Sequence, residues 1–225
     1  MTFKAADVPL VDIAQRNTLR LIPTAYFKPP VLRALVDNDK ELSALEQLEA
    51  YTSRRLVKSD SMDDFDRNRF GRSHIEAAFT YNRKGGNRFS DETMGAWYAG
   101  FNERTAIEEV AFHKSRELSF TNCFDEVGQY QGLYASFIGQ FHRIKKGGKR
   151  PLSLHEDVDK GYPAGQALAR DLVAQKSRGL IYPSVRHKGG TCIVAFQPNV
   201  IQDVLLGPKW QITWDGSPDW TAEAV

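Results

Sequence analysis

Short apolar runs separated by turns constrain the fold of this chain more than any other feature of its sequence. Three of them, at residues 180–182, 191–196 and 210–214, are each long enough for a single strand. An earlier run at 19–22 predicts a first strand that ends at Pro23. Runs of this length bounded by turn residues are typical of β-strands rather than of helices. The sequence therefore predicts a sheet of short strands.

Helical periodicity appears in three other segments. Thr105 is predicted to be the N-cap of a helix, with Glu108 at the position that completes a capping box. A second amphipathic helix is predicted over 159–176, and a third from Asp39 onward. One face of the helix after Thr105 carries Ala106, Val110 and His113.

The order of these elements indicates the fold class. Further short apolar runs at 77–81 and 96–99 predict strands, and residues 87–90 are expected to begin another strand after the Gly85-Gly86 turn. Strands and helices in mixed order favour an α+β fold over a repeating βαβ fold. A chain of 225 residues is usually one domain, so we expect a single domain over 1–225.

Composition and missing motifs exclude several classes of protein. Thirty Lys and Arg against 28 Asp and Glu leave a formal net charge of +2, which gives no reason to expect nucleic-acid binding. The two cysteines have neither metal-ligand nor redox spacing, and no signal-peptide core or membrane span is visible, so a cytoplasmic protein is expected. The chain has no GxGxxG, GxxxxGK[ST], HExxH or CxxC motif, and we predict no metal site.

Two segments carry a recognisable pattern. Residues 85–113 read GGNRFSDETMGAWYAGFNERTAIEEVAFH, and residues 179–198 read GLIYPSVRHKGGTCIVAFQP. Together they resemble the RES domain, a family named for a recurring Arg, Glu and Ser. The family pattern is a Gly-Gly-Arg-Trp-Asn turn, a later Tyr, an Ala-x-x-Glu that opens a helix, and a Ser before a basic turn and an apolar strand.

The resemblance assigns residues to that pattern. Arg88 takes the place of the arginine in the Gly-Gly turn, Tyr98 that of the tyrosine, Glu109 that of the glutamate and Ser184 that of the serine. A further family arginine, within an apolar first strand, corresponds to Arg20.

The chain departs from the family pattern at three places. Phe89-Ser90 stands where the family has Trp-Asn. Glu108 directly precedes Glu109, and the spacing from Ala106 selects Glu109 as the family glutamate. A helical insert around 31–72 has no counterpart in shorter family members, which places the chain with members that resemble ADP-ribosyltransferase toxins.

The resemblance implies a fold, a substrate and roles for these residues. The fold would be a split mixed β-sheet surrounded by helices, as in ADP-ribosyltransferases, and NAD⁺ would be the co-substrate. Cleavage of the nicotinamide–ribose bond passes through an oxocarbenium-like state, which Glu109 would stabilise. Tyr98 would hold the nicotinamide ring, and Arg88 and Arg20 would bind the pyrophosphate. Ser184 would donate to a ribose hydroxyl or a phosphate.

The resemblance also implies a biological role. The chain would be the toxin of a toxin–antitoxin pair that transfers ADP-ribose to a host protein, with hydrolysis or phosphorolysis of NAD⁺ as the alternative. Its partner would be a helix-turn-helix (Xre-like) antitoxin whose C-terminal tail blocks the cleft.

Two other classes of function stay open at this point. One is a binding module without catalysis, built around Trp97, Trp210, Trp214 and Trp220. The other is nucleic-acid binding through the basic stretches KKGGKR and RHKGG, although no direct nucleic-acid binding is expected.

Overall fold

The computed structural model describes residues 1–27 and 71–225, and between these ranges only Glu41 and Leu45, both helical. Three helices have described bounds: α1 (Arg72–Thr80), α2 (Glu103–Thr121) and α3 (Val158–Ala174). The described strands are β1 (Leu10–Pro23), β2 (Trp97–Gly100), β3 (Asp125–Arg143), β4 (Gly179–Pro183), β5 (Thr191–Ala195), β6 (Gln202–Asp215) and β7 (Trp220–Ala224).

The seven strands form one mixed sheet in the order β1-β2-β5-β4-β3-β6-β7. Strand β1 pairs with β3 as well as with β2, so five strands close into a ring and β6 and β7 extend from it. On the other edge of β3, the partner is β6 as far as Ser136 and β4 from His142 onward. The sheet is therefore split along β3. Among the described strands only the β3–β4 pairing is parallel, and the predicted α+β class with a split mixed sheet is confirmed.

The ring is filled by apolar side chains that the helices cover. Helix α2 buries Ala106, Ile107 and Ala111 in the same cluster as Leu19 of β1 and Trp214 of β6. This packing leaves the adjacent face of α2 to line a cleft. Helix α3 covers the neighbouring strands β4 and β5 through a second cluster that includes Leu168, Leu172, Leu180 and Val194.

The predictions for the regular elements are mostly confirmed. The helix expected over 159–176 is α3, and the three late apolar runs lie in β4, β5 and β6. The run at 96–99 overlaps β2. Strand β1 ends at Pro23 as predicted but begins at Leu10, well before the apolar run that identified it.

The strand predicted over 77–81 is wrong, because residues 77–80 form the second half of helix α1 and Tyr81 is its C-cap. Ile75 is the buried residue of that helix, and Arg72 and Glu76 form an i,i+4 ion pair at 2.6 Å on its first turn. A run of five residues is too short for its periodicity to distinguish a helix from a strand. Here the residues before the run form a helix, and the run continues it.

Two boundaries near the Gly85-Gly86 turn are also corrected. Residues 87–90 form a single bridge between Asn87 and Ser90 rather than a strand. Helix α2 begins at Glu103 with Asn102 as its N-cap, so Thr105 lies inside the first turn. The Asn102 Oδ1 accepts hydrogen bonds from the Thr105 N–H at 2.9 Å and from its hydroxyl at 2.8 Å.

The helix predicted from Asp39 falls almost wholly outside the described residues, as does the insert around 31–72 except for its last two positions. Glu41 and Leu45 are also described within the insert, and both are helical. The helix and the insert stay predictions. Among the described residues, no helix is long and apolar enough to cross a membrane.

Candidate active site

A cleft with a volume of about 810 Å³ lies against helix α2. Its described walls come from β1, α1, the turn before β2, β2 itself and α2, with single residues from α3, β4 and β5. A volume of this size lies within the range of small-molecule and cofactor sites.

One face of α2 forms a wall of this cleft. Ala106, Glu109, Val110 and His113 all line it, and positions three, four and seven apart share one side of a helix. The face that the periodicity identified is therefore the cleft face, and Glu109 is the carboxylate on it.

Glu109 is held by neutral donors. Its Oε1 accepts a hydrogen bond from the Ser184 hydroxyl at 2.6 Å and a weaker one from the Cys192 thiol at 3.5 Å. No salt bridge to Glu109 occurs within the described residues. Asp91 also lines the cleft, but its carboxylate is bonded to Thr93 and to Arg170. Glu109 therefore has no salt-bridge partner among the described side chains, and its hydrogen bonds come from neutral groups.

The direction of the Ser184 hydrogen bond follows from its other contacts. The Ser184 Oγ accepts the backbone N–H groups of Arg186 at 3.1 Å and of His187 at 2.9 Å. A hydroxyl has two acceptor sites and one proton, so the proton goes to Glu109. The family resemblance implies that Ser184 donates to a ribose hydroxyl or a phosphate, whereas in the structure its hydroxyl donates to the Glu109 carboxylate.

Arginines supply the positive charge of the cleft. Arg20, Arg83, Arg88 and Arg186 line it. Arg83 is paired with Glu117. The other three form no salt bridge within the described part of the chain, so the cleft offers cationic groups to an anion.

Arg20 and Arg88 are held in different ways. The Arg20 guanidinium lies 4.9 Å from the centre of the Trp97 ring and donates to the Tyr98 carbonyl at 3.3 Å. Burial lowers the pKa of Arg20 to about 10, so it remains cationic at neutral pH. Arg88 is only 7% exposed, and its Nη1 donates to the carbonyls of Ser153 and His155, each at 2.9 Å. One nitrogen of the Arg88 guanidinium is thus already hydrogen-bonded to two backbone carbonyls.

Tyr98 lines the cleft while its hydroxyl is fixed behind it. That hydroxyl accepts the Phe89 N–H at 3.0 Å and shares a hydrogen bond with the Ser90 hydroxyl at 3.0 Å. Burial raises the pKa of Tyr98. The two residues that replace the Trp-Asn of the family pattern are therefore the ones that anchor this tyrosine.

The RES domain family model matches residues 66–215 of the chain, which is well over half of its length. The chain belongs to the RES domain family. The matched range includes Arg88, Tyr98, Glu109 and Ser184, whereas Arg20 lies outside it. In the structure Arg20, Arg88, Tyr98 and Glu109 line one cleft. Ser184 does not line the cleft, but its hydroxyl is hydrogen-bonded to Glu109.

The comparison with solved structures found a chain in a crystal structure of the M. tuberculosis MbcT-MbcA toxin–antitoxin complex. It aligns with this RES domain at a TM-score of 0.46 and 11% sequence identity, over 91% of this chain and 87% of that chain. The comparison with curated proteins found no match.

Three residues of the RES domain cleft were missed by the sequence analysis as site residues. Arg186 and Tyr162 line the cleft, and Arg88 lies over the Tyr162 ring at 5.3 Å. His113 was placed on the correct helix face but given no role. Burial and the charges of nearby arginines lower the pKa of His113 to about 4, so its ring is neutral at pH 7. The basic turn after Ser184 was the available signal for Arg186, and Tyr162 had none.

No group of three or more His, Cys, Asp or Glu in the described residues of this RES domain is arranged to hold a metal ion.

Proposed function

We propose that this RES domain binds NAD⁺ in the cleft and cleaves its nicotinamide–ribose bond, acting as the toxin of a toxin–antitoxin pair. The observation that carries the proposal is the position of Glu109. Its carboxylate lies on the wall of a cofactor-sized cleft, is oriented by the Ser184 hydroxyl at 2.6 Å, and shares the cleft with three arginines that form no salt bridge within the described residues. Membership of the RES domain family supports the same reading.

The chemistry requires a negative charge close to the ribose. When the bond between C1′ and the nicotinamide nitrogen breaks, its electron pair leaves with nicotinamide, which becomes neutral. Positive charge then develops on C1′ and the ring oxygen of the ribose. Because Glu109 is bonded only to neutral donors, its charge is available to stabilise that state. No strong general acid is needed for a neutral leaving group.

The remaining groups bind the substrate. Tyr98 offers an aromatic face whose hydroxyl is already immobilised, which suits the nicotinamide ring. The arginines suit the pyrophosphate, because a guanidinium is a planar donor that matches phosphate geometry. Arg20 has more of its fork available for this than Arg88, whose Nη1 donates to two carbonyls.

The acceptor completes the reaction. We propose that it is a side chain of a host protein, so that the enzyme is a mono-ADP-ribosyltransferase. The attacking atom of that side chain bonds to C1′ and releases its proton. Water or phosphate as the attacking group would give free ADP-ribose or its 1-phosphate, and these products define the alternative of NAD⁺ depletion.

The proposed partner of this toxin is a helix-turn-helix (Xre-like) antitoxin whose tail occupies the cleft. A binding module without catalysis is the rival function. Its tryptophan set is not one surface, because Trp97 and Trp214 are fully buried in separate core clusters.

The test is NAD⁺ turnover by the purified protein and by Glu109→Gln, with products identified by mass spectrometry in the presence of cell lysate. Gln keeps the shape of the side chain and removes its charge. We expect turnover to fall by about a hundredfold to a thousandfold, as for the loss of one electrostatic contact to a transition state.

Glu108→Gln is the matched control. Glu108 precedes Glu109 on the same helix, and its carboxylate is paired with Arg104 at 2.6 Å. Its variant should turn over NAD⁺ like the wild type. Absence of NAD⁺ turnover by the wild type with every acceptor, or equal turnover by Glu109→Gln, would sink the enzyme proposal and favour the binding module.

A further inference from the structure

Arg186 follows the Ser184 turn and projects into the cleft. Its guanidinium carbon lies 3.3 Å from the centre of the Phe112 ring, and its Nη2 donates to the Glu156 carbonyl at 2.9 Å. Stacking on an aromatic ring and one backbone contact orient the guanidinium without neutralising it.

Arg186 forms no salt bridge with a carboxylate among the described residues, although the charges of Glu109 and Glu156 favour its charged form. Arg186 is half-buried, and burial together with the charge of Arg88 lowers the pKa of Arg186 to about 10. The side chain is thus cationic at neutral pH in a site that disfavours its charge. A half-buried cation of this kind is stabilised when an anion enters beside it.

The hydrogen-bond donors of Arg186 are also less occupied than those of Arg88. Arg88 uses one nitrogen for the carbonyls of Ser153 and His155 and lies against the Tyr162 ring. A guanidinium has five N–H donors, and within the described residues the side chain of Arg186 donates only to Glu156. The remaining donors are available to a ligand in the cleft.

The position of Arg186 is coupled to that of the carboxylate. The backbone N–H of Arg186 donates to the Ser184 hydroxyl, and the same hydroxyl donates to Glu109. The backbone at Arg186 and the Glu109 carboxylate are thus bonded to the same hydroxyl, which places a ligand bound by the Arg186 side chain near Glu109.

From these contacts we propose that Arg186 is a phosphate-binding residue of the cleft. The inference rests on the proposed function and goes beyond it by assigning the anion to a residue outside the family pattern of Arg, Tyr, Glu and Ser. Two sources carry this chemistry, namely the pyrophosphate of the dinucleotide and inorganic phosphate.

The experiment measures binding of ADP-ribose and, separately, of inorganic phosphate by isothermal titration calorimetry. ADP-ribose carries the pyrophosphate but no nicotinamide, so it binds without turnover. Arg186→Gln should weaken binding about tenfold to a hundredfold, as expected for the loss of hydrogen bonds to a charged group. Lys188→Gln is the matched control. It removes a positive charge from the same loop at an exposed position that does not line the cleft, and should leave the affinity unchanged.

Each outcome has one meaning. A loss of ADP-ribose affinity in Arg186→Gln assigns the pyrophosphate, and a loss confined to inorganic phosphate assigns a free phosphate. No binding of either probe to the wild type, unchanged affinities in Arg186→Gln, or an equal loss in Lys188→Gln would overturn the inference. If circular dichroism shows that Arg186→Gln is unfolded, Arg186→Lys decides. It keeps the charge without the planar fork, so binding should weaken severalfold, and unchanged affinity would again overturn the inference.

NAD⁺ turnover by the same samples separates this inference from the proposed function. Suppose that the wild type turns over NAD⁺ and that Arg186→Gln binds ADP-ribose and phosphate as tightly as the wild type. That result overturns only the inference about Arg186. Suppose instead that the wild type shows no turnover of NAD⁺ but that Arg186→Gln weakens binding of the probes. That result overturns only the enzyme proposal.

Discussion

At the scale of single residues, the hydrogen bonds of one hydroxyl determine how the Glu109 carboxylate is presented. Ser184 accepts two backbone N–H groups and has one proton left, which it donates to Glu109. A neutral donor orients a carboxylate while leaving its charge intact, whereas a paired Lys or Arg would neutralise it. The serine is thus best understood as a positioning residue.

His113 provides a prediction for pH dependence. Its pKa falls from an ordinary value of 6.5 to about 4 because it is buried among arginines. Below pH 6.5 His113 is protonated in the unfolded chain, whereas in the folded chain it stays neutral down to about pH 4. The free energy of unfolding therefore decreases as the pH falls through this window. Between pH 7.5 and 5.0 the loss due to His113 should reach about 2 kcal/mol.

Urea unfolding of the wild type and of His113→Gln at both pH values measures this loss. Gln does not titrate, so the variant should lose less of its unfolding free energy between the two pH values, and the difference isolates His113. An equal loss in both proteins would contradict the prediction.

At the scale of elements, a side-chain hydrogen bond holds the start of helix α2 to the loop between β4 and β5. The Thr105 hydroxyl donates to Asn102 and therefore accepts from the Nδ1 of His187 at 2.8 Å. His187 in turn donates its backbone N–H to Ser184. The start of α2 and the serine that orients Glu109 are therefore held together.

Replacing this contact tests its importance. Thr105→Val keeps the shape of a fully buried side chain and removes its hydroxyl. We expect the free energy of unfolding to fall by about 1–3 kcal/mol, because His187 and Asn102 both lose a buried partner. NAD⁺ turnover should fall about tenfold as the Ser184–Glu109 geometry loosens.

Thr121→Val is the control for Thr105→Val, because Thr121 is exposed at the end of the same helix and its hydroxyl bonds, within the described part of the chain, only to the local Leu118 carbonyl. Chemical denaturation and steady-state turnover of both variants make the comparison. Equal effects would show that Thr105 has no special linking role.

At the scale of the whole molecule, strand β3 joins the ring to the extension of the sheet. Leu133 is fully buried, and it pairs with Arg20 of β1 on one edge and with Leu206 of β6 on the other. Leu133→Ala should lower the free energy of unfolding by about 2–5 kcal/mol through the cavity that it leaves. Val127→Ala on the same strand is the control, since Val127 is 56% exposed and its truncation should cost little.

In Leu133→Ala and in Val127→Ala, tryptophan fluorescence and far-UV circular dichroism should report the same unfolding midpoint. Trp97 and Trp214 lie in different clusters, and because β3 connects these clusters they should unfold together. Two separate midpoints would mean that the ring and its extension unfold independently.

Much of this molecule is predictable from local sequence. The periodicity of α2 and α3, the apolar runs of β4 and β5, and the order of Arg88, Tyr98, Glu109 and Ser184 are properties of neighbouring residues. Helix periodicity also places Glu109 with Ala106, Val110 and His113 on one face, because that depends only on the geometry of the helix.

Two local predictions failed because of residues only a few positions away. The run at 77–81 continues a helix that begins at Arg72, and helix α2 begins at Glu103 because the Asn102 side chain caps it by accepting the Thr105 N–H. Distant contacts decide the position of Arg20, which is brought to the cleft by the pairing of β1 with β2 and β3, strands that lie much later in the sequence.

The chemistry of the cleft was decided in the same way. Whether Ser184 donates to a ligand or to Glu109, and whether an arginine's fork is free or used by the backbone, depends on which groups the fold places within hydrogen-bond distance. The sequence by itself determined the residue types, the fold class and the family. Only the tertiary structure decided the partner of each polar atom, because hydrogen bonds form between groups that are close in space and not in sequence.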